Sequence, residues 1–218
     1  MTFDEVAAEV RATGLGIVGA FHPGPEDGAP PDTGTLFLLG PDGPEMWTAF
    51  ETAPEARDGA PDPLDRWSQR VIGRLAARLG AFTLFPFGGP PWQPFQKWAM
   101  RGEGAAPSPV AMQVTPARGL WASYRGALCF AEVIPLPART DEDPCAPCHR
   151  PCEAACPVDA FSNGRYDVPA CVAHLKTPAG AECLKGCLVR RACPAGAGIA
   201  LPEAARRFHM AAFLRANG

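Results

Sequence analysis

Cys145-Ala-Pro-Cys148-His-Arg-Pro-Cys152-Glu-Ala-Ala-Cys156-Pro157 is the stretch on which the reading of this 218-residue chain turns. It is answered downstream by Cys171 and by Cys183-Leu-Lys-Gly-Cys187-Leu-Val-Arg-Arg-Ala-Cys193-Pro194, so eight of the nine cysteines fall within 145–193. Such spacing suits an iron–sulfur cube, which is small enough for neighbouring thiols on one tight loop to reach different irons. A cysteine locked by a following proline turns away from that cube and ligates a second one. The two halves are weakly self-similar around Cys156-Pro157 and Cys193-Pro194. On that pattern Cys145, Cys148, Cys152 and Cys193 hold one [4Fe–4S] cluster, and Cys156, Cys171, Cys183 and Cys187 hold the other, with one cluster as the minimum.

The spacing departs from the bacterial run C-x2-C-x2-C-x3-C-P. One extra residue separates Cys148 from Cys152, and the second run has gaps of three and five residues where two and three are usual. Four thiolates also suit zinc, which gives a structural, non-redox alternative. Disulfides need an oxidising compartment that the sequence does not signal. His149 and His174 stand among the cysteines as substitute ligands, although each is more often a surface or supporting residue. Cys129 lies in the apolar run Ala127-Leu-Cys-Phe-Ala131 and reads as packing.

Outward from this module, the net charge of −3 gives no basic excess for nucleic acid. No apolar run is long enough to span a membrane, and the acidic start lacks a secretory signal, so a cytoplasmic protein is expected. Residues 2–13 read as a helix with a Thr2/Glu5 capping box, and Leu15–Phe21 as a strand. Thr35–Leu39 reads as a second strand and Pro44–Thr52 as a short helix. Pro63–Leu79 is the strongest helix, capped by Asp62 and stopped by Gly80. Further strands are expected at Ala81–Phe85, Val110–Val114 and Ala127–Ile134, and a short helix at Pro94–Arg101. Residues 135–144 read as a linker.

At the cysteine pattern, and at Gly119-Leu120-Trp121-Ala-Ser-Tyr-Arg125-Gly-Ala-Leu128 before it, the chain resembles the epoxyqueuosine reductases. The opening Ala12-Thr-Gly14-Leu-Gly-Ile-Val-Gly19 is also similar to that family's first helix and strand. The resemblance is clear over 119–196 and weak over 1–118. It implies a corrinoid-dependent reductase architecture, in which an N-terminal domain, built like a nitroreductase or corrinoid-processing fold, holds a cobalamin fed by the two clusters. Trp98, Trp121, Tyr124 and Arg125 are then candidate cofactor-binding residues, although aromatics near Pro-rich turns are more often core. One departure bears on activity. No Asp or Glu occurs from Ala81 to Arg101, where the family places its acidic proton donor. Epoxide reduction would lack its proton source.

The expected fold class is therefore α+β. An α/β layer domain with a mixed or antiparallel sheet occupies 1–134, a ferredoxin-like dicluster domain 145–196, and a helix 197–218. The expected function is one-electron transfer through [4Fe–4S] clusters to a bound or docked acceptor, a redox partner protein or a corrinoid. A corrinoid-linked reductase of a small substrate and a zinc-stapled interaction module are the alternatives. No nucleic-acid or membrane partner is expected.

Overall fold

The computed structural model describes residues 1–139 and 142–218. In chain order its elements are α1 (Phe3–Arg11), β1 (Gly16–Phe21), β2 (Thr35–Gly40), α2 (Glu45–Glu51), α3 (Pro63–Leu79), β3 (Phe82–Leu84), α4 (Phe95–Gly102), β4 (Ala106–Pro107), β5 (Gln113–Val114), β6 (Gly126–Phe130), α5 (Val168–Leu175), α6 (Ala181–Leu184), α7 (Leu188–Arg191) and α8 (Glu203–Asn217). They divide into two compact units, Met1–Ala105 with Ser123–Asp141, and Ala106–Ala122 with Glu142–Gly218. The segment 106–122, read with the N-terminal domain, thus groups with the cysteine-rich chain. Its Val110, Val114 and Leu120 pack with Cys152, Val189 and Cys193 in one apolar cluster. The linker expected at 135–144 includes residues 140 and 141, which lie outside the described residues.

The N-terminal unit is α+β. Its sheet has the order β1-β2-β6-β3, and every pairing is antiparallel. A mixed or antiparallel sheet was expected, and the antiparallel form is the one found. β2 and β3 flank the crossover helix α3 and run parallel to each other, but β6 arrives late and inserts antiparallel between them.

Alternation along the strands assigns the two faces of the sheet. Leu36 and Leu38 of β2 and Ala127 and Cys129 of β6 meet Phe95, Trp98 and Ala99 of α4. Phe37 takes the other face, where its ring centroid lies 6.0 Å from Phe3 and 5.6 Å from Phe130. Cys129 is packing, as expected, and burial pushes its thiol up to about 12.

α1 begins with the predicted reciprocal cap, in which the Glu5 N–H donates to Thr2 Oγ1 at 3.3 Å and the Thr2 N–H to Glu5 Oε2 at 2.7 Å. α3 has the expected bounds and buries Leu64, Trp67, Ile72 and Leu75. Its expected side-chain cap is a correction. Asp62 adopts a left-handed backbone, φ 50°, and makes no side-chain capping bond. Its carbonyl oxygen instead accepts from the N–H groups of Asp65 and Arg66.

The cysteine-rich unit holds little regular structure. The strand predicted at Val110–Val114 shrinks to β5, which pairs with β4. Residues 108–112 make the intervening turn, with the Ser108 N–H donating to the Met112 carbonyl oxygen at 2.9 Å and Ala111 at φ 55°. Short 3-10 turns and the one- and two-turn helices α5–α7 follow. α8 packs on α5 and α6, with Ala205 buried and Phe208 and Leu214 half-buried. Among the described residues, no helix is long and apolar enough to cross a membrane.

Candidate metal centre

The cysteines stand on loops, on short turns and in the short helices of the second unit. Cys145 and Cys148 occupy an irregular loop, and the Cys145 N–H donates to Asp143 Oδ1 at 2.9 Å. The extra residue before Cys152 is absorbed by Arg150, whose backbone is left-handed at φ 55° and ψ 51°. That conformation is uncommon for a non-glycine residue, and it aims the Arg150 N–H at Cys148 Sγ, 3.3 Å away. Cys152 lies in the 3-10 turn Pro151–Ala154. Cys156 follows that turn, and the Ala160 N–H donates to its Sγ at 3.3 Å. Cys171 belongs to α5, and Cys183 to α6. Cys187 precedes α7, and Cys193 precedes the 3-10 turn Pro194–Gly196. The wide gap between Cys187 and Cys193 is therefore filled by one helical turn.

The thiols sort into two quartets. Burial raises the Cys145 thiol, and Asp143 adds to this along with Cys152, Cys193 and Cys148. Burial likewise raises Cys152, with Cys193, Glu153 and Cys148 adding to it. In the other group burial raises Cys183, with Cys187, Cys156 and Cys171 contributing. Cys171 is raised by burial, and then by Cys187 and Cys156, against a lowering hydrogen bond from the Tyr166 hydroxyl. This grouping puts Cys193 with the first run and Cys156 with the second. Among the described residues, no three His, Cys, Asp or Glu side chains converge on a point that would hold a single metal ion.

Cys145, Cys148, Cys152 and Cys193 line one pocket with Val114, Leu120 and Pro194. It encloses about 330 Å³ of atom-free space, part of it open to solvent. Gly119 lies against Cys193, one of the pocket's lining residues. Its φ is +53°, and a Cβ there would stand 2.7 Å from Cys193 Sγ and 2.4 Å from the Gly196 nitrogen, so only glycine fits.

The second quartet is bordered by Tyr166 and Arg190. The Tyr166 ring lies 4.5 Å and 10° from Phe161 and 5.9 Å and 24° from Phe213, centroid to centroid. Burial and the bond to Cys171 push its phenol well up. Burial lowers the Arg190 guanidinium, opposed by Cys187 and Tyr166. Arg190 also donates to the Leu120 carbonyl oxygen at 3.0 Å and lies over the Trp121 ring at 6.0 Å. The quartets share one apolar cluster, which contains Val189 and Phe161. Short helical turns join Cys152 to Cys156 and Cys187 to Cys193, and at 1.5–2.0 Å rise per residue each spans about 8–9 Å.

Three of the candidate corrinoid residues are engaged within the N-terminal unit, where Trp98 and Tyr124 both pack around Phe95. Trp98 is fully buried, with its indole N–H donating to the Asp27 carbonyl oxygen at 2.9 Å, so it offers no free ring face. Arg125 is buried, bonded to Ser68 Oγ at 3.1 Å and paired with Asp65. The Tyr124 hydroxyl donates to Glu103 Oε2 at 2.5 Å. These three belong to the N-terminal unit, whereas Trp121 belongs to the cysteine-rich one. His174 stands three residues after Cys171, and its Nε2 is buried with no hydrogen-bond partner among the described residues.

Tyr166, Arg190 and Asp143 escaped the sequence reading, because no spacing rule ties a lone phenol, guanidinium or carboxylate to a distant thiol. Gly119 was quoted there for resemblance alone. No family model, curated protein or solved structure matches the chain.

Proposed function

We propose that this protein carries electrons, one at a time, through two [4Fe–4S] clusters held by its cysteine-rich unit, and delivers them to a docked acceptor protein. The observation that carries this reading is the sorting of eight thiols into two interchanged quartets. Cys145, Cys148, Cys152 and Cys193 would hold one cluster, and Cys156, Cys171, Cys183 and Cys187 the other. The donor sets fit. Each quartet is all thiol and borders apolar side chains, and backbone N–H groups of Arg150 and Ala160 point at sulfur. When bound, such clusters supply reversible one-electron chemistry at potentials set by hydrogen bonding and burial. The protein's part is to fix the sulfurs, keep water off them with Val114, Leu120 and Val189, and hold the two sites close together. Ligand thiols of this kind belong in a reducing compartment, and we place the protein in the cytoplasm.

Zinc is favoured less. Four thiolates would also suit zinc, but the two Cys–Pro ends, Cys156-Pro157 and Cys193-Pro194, follow the ferredoxin pattern instead. A corrinoid does not fit the residues first considered for it, since Trp98 is sealed in a core and Arg125 is bound to Asp65. No step is derived through one.

The test is iron, acid-labile sulfide and zinc per chain after anaerobic purification from iron-replete cells. About eight irons with equal sulfide are expected, and about four would reduce the reading to one cluster. One or two zinc ions without sulfide would overturn it.

A further inference from the structure

Ser108 stands between Pro107 and Pro109, at the start of the turn that joins β4 to β5. A following proline narrows the backbone choices of the residue before it, so this is a stiff point of the chain. Both backbone groups of Ser108 are spent on the turn. Its N–H donates to the Met112 carbonyl oxygen at 2.9 Å, and its carbonyl oxygen accepts the Ala111 N–H at 3.2 Å. The hydroxyl is left over. Ser108 lines the same pocket as Cys145, Cys148, Cys152 and Cys193, and its Oγ is buried with no hydrogen-bond partner among the described residues. Leaving a buried hydroxyl unpaired costs about 1–3 kcal/mol. Val114, Leu120, Pro144 and Pro194, which line the pocket beside it, carry hydrocarbon side chains that cannot accept a hydrogen bond. The charged side chain there is Arg150, whose half-exposed guanidinium lies 3.9 Å from Glu153 and which has no acceptor to offer.

A hydroxyl rotates freely about its C–O bond and can turn its hydrogen to whatever acceptor fills the pocket. The sulfurs of a thiolate-ligated cluster are acceptors with no hydrogen of their own. We infer that the Ser108 hydroxyl donates a hydrogen bond to sulfur of the cluster held by Cys145, Cys148, Cys152 and Cys193, and that this neutral donor raises the reduction potential of that site. Reduction places more negative charge on sulfur, so an O–H aimed at it stabilises the reduced form more than the oxidised one. The hydroxyl keeps its proton in both states, and no bond is made or broken. The inference rests on the clusters proposed above and adds to them a donor from residues 106–122, outside the cysteine runs. It also gives that segment a second task in the unit it joins. Val114 and Leu120 help to seal the pocket, and Ser108 supplies its polar contact.

The experiment is a redox titration of the anaerobically purified full chain, followed by electron paramagnetic resonance, with iron and sulfide measured on every sample. Cys148→Ala removes one thiol of the first site, and the reduction wave it abolishes identifies that site. Ser108→Ala should keep its iron and move this wave alone to more negative potential, by about a threefold to tenfold change in the reduction equilibrium, where tenfold is 59 mV for one electron. Ser108→Thr retains a hydroxyl and should retain the wild-type potential. Iron lost from Ser108→Ala but kept by Ser108→Thr would support the same contact. With full iron in place, an unmoved wave in Ser108→Ala, a shift confined to the other wave, or an equal shift in both variants would overturn the donor and leave the clusters standing, as would iron lost from both. Wild-type protein without iron and sulfide would overturn the clusters and the donor together, a result read before any titration begins.

Discussion

The two units solve the problem of folding by different means. The N-terminal unit buries a four-stranded sheet between helices and needs nothing but side chains to do so. The cysteine-rich unit has a pair of two-residue strands, three helices of eight residues or fewer, and an apolar cluster in which cysteines stand beside Val110, Val114, Leu120 and Val189. Charge divides the same way. The first unit has ten basic and sixteen acidic residues, and the second has ten basic and seven acidic. A positive balance would suit the proposed anionic thiolate-ligated clusters, each about −2 when oxidised. Removing the clusters should break this comparison most visibly. Iron chelation under oxidation should leave amide-exchange protection over β1, β2 and β6 intact, while protection over residues 145–196 falls to the level of an open chain, because metal binding and folding are coupled in such modules. Equal protection in both states would show that the second unit stands on its own core.

Substitutions sharpen the contrast from either side. Trp98→Ala removes a fully buried indole from the N-terminal unit and should cost about 3–5 kcal/mol in urea denaturation, with iron per chain unchanged. Gly119→Ala should do the reverse. The new methyl would press on Cys193 Sγ and the Gly196 nitrogen, so about half the iron should be lost while the urea midpoint of the N-terminal unit stays within about 0.5 kcal/mol of wild type.

The smallest effect is electrostatic. The Arg70 guanidinium, bonded to both oxygens of Glu55, holds that carboxyl down at about 2. A folded pKa below the unfolded one stabilises the fold fully above the unfolded value of about 4.3, and the contribution is lost as pH falls through about 2. Arg70 is partly exposed, so the contribution is about 1 kcal/mol after solvent screening. Glu55→Gln should flatten the stability profile in that acid window and leave the rest unchanged, as acid titration of unfolding would read.

What the sequence disclosed follows from how local each signal was. The capping box of α1 and the apolar stripe of α3 are each written within a short window, and the structure carries both of them. The antiparallel placement of β6 was not legible, because nothing local distinguishes a strand that joins an edge from one that enters between two others. The unit to which each candidate aromatic belongs was not legible either. Proximity in sequence to Tyr124 or Trp121 is no guide to which unit a ring joins. Tyr166 and Arg190 became visible only once folding set them beside Cys171 and Cys187.

The order of β6 within the sheet has a consequence for synthesis. A ribosome releases β2 and β3 early, yet the strand that lies between them is not made until residues 126–130. In the interval β2 and β3 each lack a neighbour, and residues 106–122 have already been released without the cysteines they pack against. The nascent chain therefore passes through a long stage with unpaired edges and apolar segments awaiting partners. Its yield in a cell should depend on elongation rate, and on how soon the cysteine-rich segment emerges to cover them.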